Sequence, residues 1–221
     1  MKKHDIARMI DHTLLAPNAS SEDIRRLCRE AAENDFASVC IQPCYVPLAA
    51  ECLKGSRAKV CTVIGFPLGV NCTEIKAAEA AKAVADGADE VDMVLNRSLV
   101  ADGRWTEVQK DIEAVVAAAK GRLVKVILEA TELQPDELAE AARTAVTAGA
   151  DFVKTSTGFV GGGARVEDIR IMKEAVGDRA QIKASGGIHS YDEAMAMIAA
   201  GATRIGASAG LAIIAGAEDR K

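Results

Sequence analysis

Short apolar runs alternate with longer amphipathic stretches along the whole chain. Eight of the short runs are rich in β-branched residues and predict strands, at 10–15, 38–42, 59–66, 90–95, 123–129, 152–156, 181–185 and 204–207. The stretches between them are rich in Ala, Glu, Lys and Arg and predict helices, among them 74–85, 106–120, 135–148 and 192–200. Strands and helices that alternate in this way are typical of a parallel sheet.

The ends of several predicted helices carry recognisable signals. Ser190 with Glu193, and Thr106 with Gln109, predict capping boxes, and Pro135 suits a first helical position. A weak repeat precedes three predicted strands, with the sequences Asp86-Gly87-Ala88-Asp89, Ala148-Gly149-Ala150-Asp151 and Ala200-Gly201-Ala202-Thr203. Glycine at this place favours the left-handed conformation that ends a helix. One β-α unit therefore recurs at a spacing of roughly thirty residues.

The repeated unit predicts the fold. Several strands are apolar on both faces, as in a sheet that is covered by helices on each side. Eight such units predict a parallel (β/α)₈ barrel, the TIM barrel, and the alternative is an open doubly wound sheet. No Pro/Ser-rich linker divides the chain, so we expect a single domain over residues 1–221.

Composition excludes several classes of function. The net charge is −5 and aromatic residues make up 3% of the chain, which argues against a nucleic-acid partner. No segment approaches the ~20 apolar residues that span a bilayer. No apolar run follows Met1-Lys2-Lys3, so we expect no signal peptide and a cytoplasmic protein. We expect the six cysteines to be reduced and mostly in the core, and a zinc site is not predicted.

Four strands carry a charge where a buried strand should have none. Asp92, Lys125, Lys154 and Lys183 each stand between apolar neighbours, at spacings of 33, 29 and 29 residues. Side chains alternate across a strand, so Asp92, Lys154 and Lys183 face the barrel interior if Val91 and its equivalents on the other two strands face the helices. Neighbouring strands lie about 4.8 Å apart, which brings Lys154 and Lys183 within electrostatic reach.

Such a lysine pair indicates chemistry. A nearby like charge and burial both disfavour an ammonium group, and a neutral buried amine can form a Schiff base. The alternative is a structural ion-pair cluster in which Asp92 balances one or two lysines. Three lysines beside one aspartate leave an excess of positive charge, which a purely structural network would avoid.

Glycine-rich segments follow the last three strands. These are Ser156-Thr157-Gly158-Phe159-Val160-Gly161-Gly162-Gly163, Ser185-Gly186-Gly187-Ile188 and Gly206-Ala207-Ser208-Ala209-Gly210. In barrels, the loops after strands seven and eight commonly bind phosphate through backbone N–H groups. Neither a dinucleotide fingerprint nor a P-loop is present, so a nucleotide is not predicted. The alternative is that these segments are only tight turns.

Together these segments resemble the deoxyribose-phosphate aldolase family of class I, Schiff-base aldolases, from end to end. The resemblance is carried by the stretches IDHTLL from Ile10, VCIQP from Val39, VIGFP from Val63, EVDMVLN from Glu90, VKVILE from Val124, FVKTSTGF from Phe152, KASGGI from Lys183 and RIGAS from Arg204. It implies the same TIM barrel, no cofactor and no metal. It also implies a homo-oligomer, a dimer or tetramer. The printed sequence ends at Arg220-Lys221 without the terminal tyrosine of some members, so we expect that element to be absent.

The resemblance also assigns roles. It makes Lys154 the Schiff-base lysine, Asp92 and Lys183 the proton-transfer partners, and Lys125 an electrostatic helper. It implies that Gly158, Gly186, Gly187, Gly206 and Ser208 surround the substrate phosphate, and that Asp11, Thr13, Cys40 and Thr157 lie near the substrate. Phe159 stands where some members have a lysine, and Ala207 and Ala209 replace two hydroxyl residues. These three departures weaken the expected phosphate binding.

The expected reaction is reversible cleavage of 2-deoxy-D-ribose 5-phosphate to acetaldehyde and D-glyceraldehyde 3-phosphate, in deoxyribose phosphate catabolism. The alternatives are a related Schiff-base aldolase or transaldolase on another sugar phosphate, a non-catalytic sugar-phosphate-binding protein, and a metal-dependent barrel lyase. Use of acetaldehyde would discriminate against the other aldolase or transaldolase. A covalent adduct with the substrate would discriminate against the binding protein, and activity that survives a chelator would discriminate against the metal-dependent lyase.

Overall fold

Eight parallel strands close into a barrel in chain order, with β8 paired to β1. The computed structural model describes residues 1–218. The strands are β1 Ile10–Leu14, β2 Ser38–Ile41, β3 Lys59–Ile64, β4 Glu90–Val94, β5 Leu123–Ile127, β6 Phe152–Lys154, β7 Gln181–Ser185 and β8 Arg204–Ala207. The predicted (β/α)₈ barrel is confirmed, and the open doubly wound sheet is wrong because β1 and β8 pair in register from Ile10 and Ile205.

Helices surround the barrel. They are α1 Lys3–Ala7, α2 Ser21–Glu33, α3 Val46–Cys52, α4 Thr73–Ala85, α5 Arg97–Ala101, α6 Trp105–Ala118, α7 Pro135–Thr147, α8 Val166–Val176, α9 Tyr191–Ala200 and α10 Gly210–Glu218, with 3₁₀ turns at Pro43–Tyr45 and Ala130–Glu132. Among residues 1–218, no helix combines the length and the apolar character that a membrane crossing requires. The expectation about Arg220 and Lys221 lies outside the described residues.

Six strands end one or two residues earlier than predicted. Residues beyond these ends remain buried, as Leu95 and Leu128 do, so hydrophobicity alone does not mark the end. Their backbone groups still bond to the next strand: the Leu95 N–H donates to the Ile127 carbonyl at 3.1 Å, and the Leu128 N–H to the Lys154 carbonyl at 2.9 Å. These residues begin the loops at the carboxyl end of the barrel.

The predicted helix ends are mostly confirmed. Ser190 and Glu193 form a capping box, and Pro135 is the first residue of α7. The box predicted at Thr106 is wrong, because α6 begins one residue earlier and its N-cap is Arg104, which forms an ion pair with Glu107 at 3.2 Å. The repeated glycines follow α4, α7 and α9 and have positive φ values, as expected, at Gly87, Gly149 and Gly201.

The apolar core lies between the strands and the helices. Outward-facing residues of the strands, such as Val91, Val153 and Ile182, belong to this layer. Inside the barrel, a small apolar cluster contains Leu15, Cys40, Cys61 and Val63, with Phe66 packed against it. Cys28, Cys40 and Cys61 are buried as expected, whereas the expectation is wrong for the exposed Cys44, in the 3₁₀ turn Pro43–Tyr45, and for the exposed Cys72, in the β3–α4 loop.

A buried ion pair outside the barrel fixes the β3–α4 loop. The Lys76 ammonium donates to Asp111 Oδ2 at 2.5 Å and to the Gly69 carbonyl at 3.1 Å. The Thr73 hydroxyl donates to Asp111 Oδ1 at 2.9 Å. The two charged side chains are fully buried, so each depends on the other to offset its lost hydration.

We expect Asp111→Ala to lower the free energy of unfolding by about 3–5 kcal/mol, because it leaves the Lys76 ammonium buried without a carboxylate. The matched control is Asp86→Ala, which removes the partner of the largely exposed Lys82 on the same helix. It should cost no more than about 1 kcal/mol. Urea unfolding measures both values, and equal losses would contradict the role given to the Lys76–Asp111 pair.

Candidate active site

Asp92 lies inside the barrel, where its two carboxylate oxygens accept hydrogen bonds from three lysines. Oδ1 accepts from Lys125 at 2.8 Å. Oδ2 accepts from Lys154 at 2.8 Å and from Lys183 at 2.7 Å. The four residues come from β4, β5, β6 and β7, so consecutive strands deliver them as predicted. Lys154 and Lys183 are paired in register, whereas Lys125 pairs with Phe152, two residues before Lys154.

Further charges surround this group. Asp11 accepts from Lys183 at 2.5 Å and from the Arg204 guanidinium at 2.7 Å. Glu90 accepts from Lys125 at 2.5 Å and from Arg204 at 3.3 Å. Among residues 1–218, the cluster thus holds three carboxylates and four cations, namely Asp11, Glu90, Asp92, Lys125, Lys154, Lys183 and Arg204. The excess of positive charge that the sequence predicts is therefore smaller than expected.

A cavity of about 510 Å³ opens above the cluster, at the carboxyl ends of the strands. Its lining residues lie at the carboxyl ends of β1, β6, β7 and β8 or in the segments that follow these strands, and they include Leu14, Leu15, Ala16, Pro17, Ser185, Ile188 and His189. Lys154 is 3% exposed and is the one member of the described cluster that lines the cavity. A small molecule in the cavity can therefore reach the Lys154 amine directly.

The predicted site residues fall into two groups. Those that line the cavity are Lys154, Thr13, Thr157, Gly158, Gly186, Gly187, Gly206 and Ser208. Those that are fully buried and do not line it are Asp11, Cys40, Asp92, Lys125 and Lys183. Asp11 and Cys40 thus lie beneath the cavity, and Asp11 is bonded to Lys183.

Aromatic and glycine residues form one wall of the cavity. Phe159 lines it and contacts Phe66 edge to face, with ring centroids 5.1 Å apart. Ala207 also lines the cavity.

A Cβ atom at Gly163 would lie 2.2 Å from the Gly186 carbonyl oxygen, so only glycine permits this approach of two loops. Gly161, Gly162 and Gly163 are not among the lining residues, which limits the phosphate interpretation of this glycine run to Gly158.

Comparison with known proteins identifies the family. The family model described as DeoC/LacD family aldolase matches residues 6–216. The chain belongs to the DeoC/LacD aldolase family. Among curated relatives of this DeoC/LacD aldolase, the deoxyribose-phosphate aldolase of Staphylococcus carnosus is 56% identical over 97% of each chain. That of Mannheimia succiniciproducens is 52% identical over 99% of this chain and 98% of its own.

A solved structure agrees with the family. The tetrameric structure of deoxyribose phosphate aldolase from Aeropyrum pernix superimposes with a TM-score of 0.91. The two sequences are 35% identical, and the match covers 97% of this aldolase and 91% of the other chain. This chain thus matches nearly the whole length of relatives that are all named deoxyribose-phosphate aldolase, and it shares the barrel of the solved one.

Charge and burial oppose each other within the site of this aldolase. Burial raises the pKa of Asp92, but Lys125, Lys154 and Lys183 outweigh burial and hold that pKa well below its usual range. Burial lowers the pKa of Lys183, yet Asp11 and Asp92 raise it above the ordinary lysine value. Burial also lowers the pKa of Lys125, but Asp92 raises it, and the pKa of Lys125 lies above its ordinary value. Asp92 is therefore a carboxylate, and Lys125 and Lys183 are ammonium groups.

The sequence did not single out several residues of the site in this aldolase. Glu90 and Arg204 are the first residues of β4 and β8, where a charge suggests a solvated strand end. The period of two could have found Glu90, because it lies two residues before Asp92 on the same face. His189 is exposed and lines the cavity.

We expect Lys125→Met to destabilise this aldolase and to make its free energy of unfolding less dependent on pH in the acid range. The pKa of an aspartate in the unfolded chain is about 4. At pH values above this, the lowered pKa of Asp92 contributes to the stability of the fold, and this contribution is lost as the pH falls through the pKa of Asp92 in the folded protein. Loss of Lys125 raises the folded pKa, because it leaves Glu90 and Asp92 without their shared ammonium. The free energy of unfolding should fall by about 3–5 kcal/mol near neutral pH.

Urea unfolding near neutral pH and at about pH 3.5 tests this expectation. The matched control is Lys173→Met, because Lys173 pairs with the fully exposed Asp178. This control should change the free energy of unfolding by no more than about 1 kcal/mol. A Lys125→Met variant with wild-type stability and acid dependence would contradict the prediction.

Proposed function

We propose that the protein catalyses reversible aldol cleavage of 2-deoxy-D-ribose 5-phosphate to D-glyceraldehyde 3-phosphate and acetaldehyde, through a Schiff base on Lys154. The observation that carries the proposal is that Lys154 alone, within the described charge cluster, lines the cavity. Relatives at 52% and 56% identity are named deoxyribose-phosphate aldolase, which supports this substrate. The proposed pathway is the breakdown of deoxyribose phosphate.

The first step is attack of the neutral Lys154 amine on the substrate aldehyde carbon. Loss of water then gives an iminium ion. Lys154 must lose its proton to react. Within the described residues 1–218, its one carboxylate contact is Asp92 Oδ2, and the Lys183 ammonium donates to the same oxygen at 2.7 Å. The shared oxygen therefore stabilises a Lys154 ammonium less than an unshared carboxylate would.

The second step breaks the bond between C2 and C3 of the sugar. The iminium accepts the electron pair of this bond and becomes an enamine, while the C3 hydroxyl loses its proton and becomes the aldehyde of glyceraldehyde 3-phosphate. Asp92 is ionised and can serve as the base, and Lys183 can return a proton to C2 of the enamine. Since neither side chain lines the cavity, each proton passes through a water molecule. Hydrolysis of the resulting iminium releases acetaldehyde and restores Lys154.

The phosphate of the substrate would bind at the glycine-rich loops. Gly158, Gly186, Gly187, Gly206 and Ser208 line the cavity, and backbone N–H groups at such loops bind phosphate. With Phe159 in the wall instead of a lysine, binding depends on these amides. The same barrel could accept another sugar phosphate, and use of acetaldehyde by the enzyme discriminates the two possibilities.

A metal is not needed for this mechanism, and the buried carboxylates are already occupied. Two groups of side chains, Cys40 with Cys61 and Asp92, and Asp11 with Cys61 and Glu90, bring potential ligand atoms within 4.8 Å of one another. Each of these carboxylates accepts a hydrogen bond from a lysine. A cation would have to displace those ammonium groups. The absence of a cofactor and the cytoplasmic location stay predictions.

We also propose that the chain forms a homo-oligomer, a dimer or tetramer. The relative from Aeropyrum pernix is described as tetrameric, and Leu68, Val70 and Ile75 are exposed large apolar residues within one short segment. Light scattering should give two or four times the chain mass of 23.1 kDa. A mass equal to that of one chain would contradict this proposal.

Borohydride reduction in the presence of acetaldehyde tests the nucleophile. We expect an ethyl group on Lys154, located by peptide mass mapping, because this amine faces the cavity. Lys154→Leu should abolish both the adduct and turnover while the fold is kept, since leucine fills a similar volume. Turnover by that variant, or an adduct on Lys125 or Lys183 alone, would refute the assignment. A folded wild-type protein that binds the sugar phosphate but forms no adduct would favour a binding protein.

Lys183→Leu tests the coupling between the two lysines. The substitution leaves Asp92 Oδ2 to Lys154 alone, which stabilises the Lys154 ammonium. We expect the rate of adduct formation with acetaldehyde to fall about tenfold near neutral pH and to recover at higher pH. A rate whose pH dependence matches that of the wild type would contradict the coupling.

A further inference from the structure

A strained glutamate lies behind the cavity wall. Glu129 follows β5 with φ 54° and ψ 57°, the left-handed conformation that is uncommon for residues other than glycine. Asp35 and Lys120 are the other such residues within the described chain, and both directly follow the C-cap of a helix. That is a usual place for this conformation. Glu129 has no such explanation, because it follows a strand, and strain of this kind concentrates at functional sites.

The Glu129 carboxylate is fully buried and bonded to one residue of the wall. Its oxygens accept from the Thr157 backbone N–H, at 3.3 Å each, and from the Thr157 hydroxyl at 2.6 Å. The Thr157 hydroxyl oxygen in turn accepts from the Phe159 N–H at 3.1 Å. A continuous chain of hydrogen bonds therefore runs from Glu129 through Thr157 to Phe159.

Thr157, Gly158 and Phe159 line the cavity, whereas Glu129 does not. We propose that Glu129 is a positioning residue, which holds the wall segment 157–159 in the shape that receives the phosphate-bearing end of the substrate. This inference rests on the proposed function. It also changes the role expected of Thr157. The N–H and the hydroxyl proton of Thr157 are both donated to Glu129, so Thr157 shapes the wall, and other groups of the site form the hydrogen bonds to the substrate.

A carboxylate suits this task better than a neutral group. It accepts both Thr157 donors at once, and hydrogen bonds to an ionised acceptor are stronger than neutral ones. Burial raises the pKa of Glu129, although the hydrogen bonds from Thr157 and the charge of Arg97 oppose this effect. Burial of the Glu129 carboxylate therefore costs free energy, and a residue without a role in the site would not require such a buried charge.

The test compares Glu129→Gln, Thr157→Val and the double variant. Glutamine keeps the size of the side chain, but its NH₂ group cannot accept a hydrogen bond, and valine replaces the hydroxyl with a methyl group. We expect each single variant to raise the KM for 2-deoxy-D-ribose 5-phosphate about tenfold. The double variant should be no worse than the worse single variant, because both substitutions interrupt the same hydrogen-bond chain at the bond between Glu129 and the Thr157 hydroxyl.

Acetaldehyde trapping separates positioning from a general loss of structure. Acetaldehyde has two carbons and needs only Lys154, so its adduct should form on Glu129→Gln within about twofold of the wild-type rate. The matched control is Glu132→Gln, which makes the same change of charge at a partly exposed residue three positions on. This control should keep the wild-type KM. If Glu129→Gln does not fold, Thr157→Val carries the same two measurements.

An unchanged KM for the sugar phosphate in Glu129→Gln and Thr157→Val would overturn the inference. So would multiplied effects in the double variant, or an equal loss of trapping and of sugar-phosphate binding. Failure of the proposed function is a different result, since the wild-type protein would then form no acetaldehyde adduct at all.

Discussion

The division of the Asp92 carboxylate among three lysines is the interaction on which the site depends. Lys125 also bonds to Glu90, and Lys183 also bonds to Asp11, so each of these two ammonium groups has a second carboxylate. In the part of the chain that the structure describes, Lys154 has one carboxylate contact, at an oxygen to which Lys183 also donates. The least compensated lysine is also the one that faces the cavity. The charge pattern and the shape of the barrel thus single out the same residue, the proposed nucleophile.

Charge balance alone does not distinguish a catalytic cluster from a structural one. Asp11, Glu90 and Arg204 bring the cluster close to neutrality, as a structural network requires. The distinction comes from the unequal sharing of carboxylates and from access at one side. The apolar layer between strands and helices supplies most of the packing, so the barrel interior can hold charged groups without loss of the fold. Most of the apolar packing and the proposed chemistry thus lie in different layers, although the buried ion pairs of the interior also contribute to stability.

The sequence predicts the features that repeat along the chain, but not the individual contacts between residues that are distant in sequence. Eight strands and the inward charges at Asp92, Lys125, Lys154 and Lys183 follow from period-two alternation within each strand. The Asp11–Arg204 pair joins residues 193 positions apart, and it forms only when β8 closes against β1. The predicted cap at Thr106 failed because an arginine ion pair, not a hydroxyl, begins the helix. Local patterns carry no record of such distant or competing contacts.

The cavity wall shows how this closure shapes a site that no single loop defines. The segment after β5 holds the segment after β6 through Glu129 and Thr157. The segment after β6 in turn meets the segment after β7 where Gly163 approaches Gly186. The loops after β6 and β7 are therefore each in contact with the loop before them, in the order in which the strands pair. A rim side chain such as Phe159, which packs on Phe66, can vary without disturbing this backbone frame. It follows that substrate preference can change at the rim while the buried charges beneath Lys154 keep their geometry.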